Sequence, residues 1–353
     1  MSKRLTLKTL ATVGAFAVGA MTVLGSTAVQ AQQKLKWAHV YETSEPYHTE
    51  SVWAAGEIKK RSNGKFDIQV FPASTLGKET DINQGLTLGT VDMIISGPSF
   101  AARTYPRFGI AYYPFIFRDG DHLIAYSKSP VFQEMVNEFR SKTGIQVTAY
   151  TYYGARHTTA QKAFTNCAGM KGIKIRVPGT TVEKITRSLG MTPISSPLSE
   201  AYEQISRGVI QGMFQQKETV VAFKMTQHMP TASYVPGGFA HSSQFVVVNA
   251  AKWAALEARD RAAIEKLSGE AMVRRFATVW QAKEDDADRQ LAAAGVKVTP
   301  VQGPLLQELR TKLAFVQDEW LAEAGKKSPA AKQALDEYRG LITSVSRDLG
   351  VSK

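Results

Sequence analysis

The sequence predicts an α/β protein of two domains. Three observations carry this: a length of 353 residues, a composition with 44% hydrophobic and 21% charged residues, and short apolar runs that alternate with helix-period segments in two successive series. That composition excludes a disordered, collagen-like or coiled-coil chain. A single cysteine, Cys167, cannot form an internal disulfide or build a multi-cysteine zinc or iron–sulfur site.

The first series starts with a strand at Leu35 to Val40, a helix from Thr49 to Arg61 stopped near Gly64, and a period-two strand from Phe66 to Phe71. After the turn Pro72-Ala73-Ser74, a helix from about Glu79 to Leu88 stops at Gly89, and Val91 to Ser96 forms a third strand. Strand, helix, strand, helix, strand implies a parallel sheet. Beyond a loop containing Pro106 and Pro114, Pro130 to Lys142 reads as helix and Ile145 to Tyr153 as a long strand.

The second series has a strand at Lys174 to Val177 and a helix from Val182 to Leu189 closed by Gly190. A further helix opens at Ser196-Pro197 and runs to Ser206, its serine placed to cap free amides, and Val209 to Phe214 is the next strand. Gln244 to Asn249 is also a strand. No proline lies between Pro236 and Pro300, so much of Ala251 to Ala294 is expected to be helical. A span longer than roughly 25 residues is expected to break, and Ser268-Gly269 is the place for it. Val296 to Val301 reads as a short strand, and two amphipathic patterns, Leu305 to Ala324 and Pro329 to Leu349, end the chain.

Met1 to Ala31 has the layout of a secretory signal peptide: Lys3, Arg4 and Lys8, then an apolar stretch, then small residues up to Val29-Gln30-Ala31. A membrane anchor is the alternative, but Ala11 to Leu24 is interrupted by Thr12, Gly14, Gly19 and Thr22 and falls short of the roughly 20 apolar residues a bilayer requires. Cleavage is expected after Ala31, which gives a periplasmic product. Loss of the three basic residues lowers the formal charge from +12 to +9. The remaining excess is spread among acidic neighbours, as in Arg259-Asp260-Arg261, which marks solvated helix faces and gives no nucleic-acid footprint.

Enzyme motifs are scarce. The six histidines include no pair at metal-binding helical spacing, and there is neither a GxGxxG nor a GxxxxGK[ST] loop. Gly97-Pro98-Ser99-Phe100-Ala101 approaches a nucleophile elbow but lacks its second glycine. No catalytic residue, metal or cofactor is expected. Two arginines within or beside strands, Arg156 and Arg176, suit a planar, bidentate grip on a carboxylate. A structural ion pair or an edge-strand surface position is the plainer alternative for each.

From Leu35 to about Val301 the chain resembles the substrate-binding proteins of tripartite ATP-independent periplasmic (TRAP) transporters, the DctP-like family. The matching stretches are 71–77 (Phe-Pro-Ala-Ser-Thr-Leu-Gly), 85–92, Tyr113-Pro114-Phe115-Ile116-Phe117, 170–178 (Met-Lys-Gly-Ile-Lys-Ile-Arg-Val-Pro), Ser199-Glu200-Ala201-Tyr202 and 208–212. The resemblance implies that Arg176 forms a salt bridge to a ligand carboxylate and that Arg156 supports it. It also implies that Gln215 stands where the family often has an asparagine reaching the ligand. Tyr41, Glu42, Ser96 and Leu198 fall near other family contact positions, with packing an equal alternative for each.

The implied fold is two-lobed and periplasmic-binding-protein-like, with a ligand cleft between domains and a long interdomain helix. Domain one is expected at 32–153 and 241–281, and domain two at 154–240 and 282–353. The implied function is capture of an organic acid and its delivery to TRAP membrane permease subunits by a monomer. A ligand sensor that signals to a receptor and an exported enzyme remain as alternatives.

Overall fold

The computed structural model describes residues 32–112, 114, 123, 126–235, 239–268, 270–327 and 336. The signal-peptide segment, most of the 113–117 motif and the 329–349 helix lie outside the described residues, apart from Pro114 and Asp336. The first half of the fold is built as the alternation dictates: β1 (Gln33–Ala38), α1 (Pro46–Arg61), β2 (Phe66–Phe71), α2 (Glu79–Leu88) and β3 (Met93–Ser96). β1 pairs in parallel with β2 and β3. α2 ends at Gly89, whose φ of 77° is a left-handed conformation that glycine adopts without strain.

After the single-turn α3 (Pro98–Ala101) and a 3-10 turn at Pro106–Tyr112, α4 (Pro130–Thr143) leads into β4 (Ile145–Ala160). Ser129 caps α4 by accepting from the Phe132 amide at 3.2 Å. The second half contains β5 (Lys174–Val177), α5 (Thr180–Ser188), β6 (Thr192–Ser195), α6 (Ala201–Ser206), β7 (Gly212–Gln215), α7 (Lys217–Ala222) and β8 (Thr231–Tyr234). The chain then returns along β9 (Ala240–Asn249) to the first half. It finishes with α8 (Ala250–Ala254), α9 (Ala258–Ser268), α10 (Glu270–Ala293), β10 (Lys297–Pro300), α11 (Gly303–Leu313) and α12 (Phe315–Lys327).

The strand order is β2-β1-β3-β9-β4-β7-β5-β6, with β8 joining β4 to β10. The parallel reading holds for β1–β3, but β9 enters antiparallel between β3 and β4. β4 serves both halves: residues from Ile145 to Arg156 pair with β9, and His157 to Ala160 pair with β7 and β8. It is therefore longer than its apolar run predicts. The 251–294 region is helical at 250–254, 258–268 and 270–293, and residue 269, where a break was expected, lies outside the described residues. β7 starts at Gly212 instead of Val209, which is 44% exposed and lies in the turn before it.

α10 ties the halves together. Its Phe276 and Trp280 rings pack on Tyr47 of α1 at 5.3 Å, and Arg275 pairs with Glu50. Further along, Asp288 accepts from Lys217 at 2.6 Å and Glu284 from the Glu218 amide at 3.2 Å, both on α7.

Candidate functional site

β5 is four residues long. Ile175 and Val177 are fully buried on one of its faces, so strand alternation sends Arg176 to the other. Arg176 pairs in register with Met213 of β7, which places Gln215, two residues on, along the same face. The guanidinium is 2% exposed; its Nε–H and Nη2–H both donate to the Ser196 carbonyl, at 3.0 and 2.8 Å, and Nη1 donates to Gln215 Oε1 at 3.5 Å. Gln215 is itself held by donating from Nε2 to Gln216 Oε1 at 2.7 Å. Both acceptors are neutral oxygens, and together they fix the plane of the guanidinium. Ser196 is occupied here and does not cap a helix: its hydroxyl donates to Gln204 at 2.8 Å, and the expected capped helix is a 3-10 turn (Leu198–Glu200) leading to α6.

Facing Arg176 is a small cavity, about 20 Å³, between the two halves. Gln215, Pro178 and Leu198 line it on the Arg176 side; Val40, Tyr41, Glu79, Gly97, Ser99, Phe100, Tyr112 and Gln244 line it on the other. Tyr41 is set by the turn after β2, where Ala73 and Ser74 take positive φ values of 49° and 60° and their amides donate to the Tyr41 and His39 carbonyls. A Cβ built on Gly97 would meet Tyr112 Oη at 3.2 Å and Gln244 Oε1 and Ser99 Oγ at 3.3 Å. Polar atoms from three elements thus converge on one point. Ser99 Oγ and Gln244 Oε1 are buried with no hydrogen-bond partner in the protein, an uncommon state that a polar cargo would relieve.

Of the residues singled out from the sequence, Arg176, Gln215, Tyr41 and Leu198 come together on this cavity. Ser96 does not: its hydroxyl donates to Asn83 at 2.9 Å, and it lines a separate cavity with Asn83, Gln84 and Phe139. Glu42 is half-buried, with its amide donating to Glu45 at 2.8 Å, and is absent from the lining. Arg156 lies on β4 opposite Ala240, and its side chain is outside the described residues. The sequence reading missed Glu79, Tyr112 and Gln244 and considered Ser99 only as a nucleophile. Two signals were present: Gly97-Pro98 follows a strand's carboxyl end, where α/β folds bind ligands, and Gln244 is a polar residue leading an apolar strand.

Among the described residues no group of three or more His, Cys, Asp or Glu is placed to hold a metal ion. No described helix is long and apolar enough to cross a membrane.

Residues 37–323 match the profile of DctP, described as bacterial extracellular solute-binding protein, family 7. The chain belongs to this family. A solute-binding protein of Roseobacter denitrificans is 25% identical over 297 residues, 83% of this chain and 90% of its own length. The C4-dicarboxylate-binding periplasmic protein DctP of Rhodobacter capsulatus is 26% identical over 238 residues, 67% and 71% of the two chains. A TRAP periplasmic solute-binding protein from Desulfovibrio salexigens, crystallised with orotic acid, superposes with a TM-score of 0.82 at 21% identity, covering 88% of this chain and 99% of that one. The two-lobed fold of the family 7 solute-binding proteins is therefore the fold of this chain, with the cavity between its lobes.

Proposed function

We propose that this protein captures an organic acid outside the cytoplasmic membrane and delivers it to a TRAP-type permease, after removal of Met1–Ala31 as a signal peptide. The observation that carries this is Arg176: a buried guanidinium, aimed by two neutral acceptors into a cavity between the lobes. Such a group binds a planar carboxylate through two charge-assisted hydrogen bonds. Ser99 Oγ and Gln244 Oε1 then serve the polar groups at the far end of the cargo. Gln215 touches both the guanidinium and the cavity and tunes which acid is accepted, and Arg156, on the strand next to β7, supports the anchor. Orotic acid and the C4-dicarboxylates named for relatives share only the carboxylate, which is the part Arg176 reads.

The lobes correspond to 32–153 with 241–281 and 154–240 with the remainder, a division supported by the return of β9 and by the two-ended packing of α10. The test is a thermal-shift screen against a library of organic acids. A cargo held at a hundred times its dissociation constant adds about 2.7 kcal/mol. One acid class is expected to raise the melting temperature of wild type and to leave Arg176→Ala unmoved. A shift that survives in Arg176→Ala, or a library without effect on wild type, rejects the proposal.

A further inference from the structure

Lys78 stands at the start of α2, in the first lobe, and Glu200 in the 3-10 turn before α6, in the second. Their Nζ and Oε1 atoms are 2.6 Å apart, so an ion pair crosses from lobe to lobe. Behind it a continuous path of hydrogen bonds leads inward. Gln204 Nε2 donates to the other Glu200 oxygen at 3.3 Å, the Ser196 hydroxyl donates to Gln204 Oε1 at 2.8 Å, and the Ser196 carbonyl accepts twice from Arg176. Exposure falls along this path, from 55% at the Lys78 side chain and 32% at Glu200 to 2% at Arg176.

We propose that Lys78–Glu200 is a latch across the cleft, and that Gln204 is a positioning residue that connects the latch to the guanidinium. It rests on the reading of Arg176 as the carboxylate anchor. The amide of Gln204 can serve both neighbours in only one orientation, with its NH2 toward the acid and its oxygen toward the hydroxyl. When the lobes meet, Lys78 fixes Glu200, Glu200 fixes that amide, and the amide fixes Ser196, whose carbonyl holds Arg176. Closing the cleft and aiming the anchor are then one event.

An exposed pair contributes little and is screened by salt, which suits a latch that must reopen. The other charges facing Lys78 are Asp81, which accepts from its amide, and Glu203; both are acidic and leave the sign of the latch intact.

The experiment needs no cargo. Spin labels at Leu88→Cys and Val209→Cys, both exposed and one in each lobe, with buried Cys167 replaced by alanine, report the interlobe distance by pulsed electron resonance. The closed fraction of wild type should fall as salt rises. Lys78→Glu should lower it about two- to fivefold at low salt and remove the salt dependence, and adding Glu200→Lys should restore both.

The relay is read separately from the Nε–H resonance of Arg176, assigned by its loss in Arg176→Lys. Gln204→Leu and Lys78→Glu should each speed its exchange with solvent, and the charge swap should slow it again. A closed fraction indifferent to Lys78→Glu, or not rescued by the swap, overturns the latch. An Arg176 signal unchanged in Gln204→Leu overturns the relay. Because both arms are ligand-free, their failure is distinct from failure of the organic-acid screen.

Discussion

Arg107 and Arg176 are both nearly inaccessible to solvent, and their partners separate their roles. Arg107 Nη1 donates to Glu134 at 2.9 Å and Glu138 at 2.8 Å, both on α4, and to the Tyr105 hydroxyl at 3.1 Å. Its charge is spent within the protein on holding the 3-10 turn to α4. Arg176 donates to a carbonyl and an amide and lines the cavity between the halves. Replacing it with lysine keeps the charge but loses the planar fork, so affinity should fall by about 1.5 to 3 kcal/mol, roughly 10- to 150-fold, in calorimetry with the acid found by screening. Undiminished affinity in Arg176→Lys would place the anchor elsewhere. Arg176 was legible in the sequence because it interrupts a short apolar strand. Glu79 was not: it opens an amphipathic helix, where an acid is ordinary, and its place in the cavity lining, with the Gly97 amide donating to its Oε1 at 3.4 Å, shows in the structure alone.

Among the elements, the turn that opens α5 comes close against α3. A Cβ on Gly179 would stand 3.0 Å from Ser99 Cβ and 3.1 Å from the Ser99 carbonyl oxygen, which is backbone and cannot swing aside as a long side chain would. The φ of Gly179 is 175°, extended backbone open to any residue, so Gly179→Ala should fold normally. The expected outcome is an unchanged melting temperature without cargo and a smaller rise with it, because the cleft is held ajar; an equal rise would show that Ser99 and its helix yield. The shortest elements were the hardest to read, α3 and α7 among the helices and β6 and β8 among the strands. β6 contains Pro193, which argues against a central strand, and it is tolerated because β6 is the edge of the sheet. β8 is four residues with no apolar run. The insertion of β9 between β3 and β4 has no local signature, since it is decided by packing between segments far apart in the chain.

For the whole molecule, three buried carboxyls gather where α1, α7 and α10 meet: Glu45, Glu218 and Glu284. Burial pushes all three pKa values up, Glu218 to about 8 and Glu284 to about 7, and repulsion between neighbouring carboxyls adds to it. Lys217, Lys283, Glu42 and Asp288 are the other charges around the group. A carboxyl whose folded pKa is raised keeps its proton in the folded state while the unfolded chain releases it near 4.5, so stability declines as pH climbs from about 4.5 to about 8. His39 acts in the opposite sense, since burial lowers its pKa to about 3 and stability is lost as pH falls below 6.5. The two are separated by difference: Glu218→Gln, a mimic of the protonated form, should gain stability relative to wild type as pH rises through that window in thermal melts. Parallel pH profiles would show that the cluster is not the source. The α/β class was legible from alternation, whereas this cluster was not, because its members stand far apart in the chain and only Glu284 lay in a segment singled out, as a solvated helix face.

The return of β9 also sets the order in which the protein can be finished. The first lobe contains β1, β2 and β3 within the first hundred residues, yet β3 pairs through Met93 to Ser96 with Phe245 to Val248. A chain growing from its N-terminus therefore carries an open sheet edge until more than two thirds of it has been made, and this long-range pairing is slow to form. The first lobe cannot complete itself early and must wait for a segment that arrives last among its strands. In this member of an extracellular solute-binding family, the first three strands thus stay unfinished until β9 has been made.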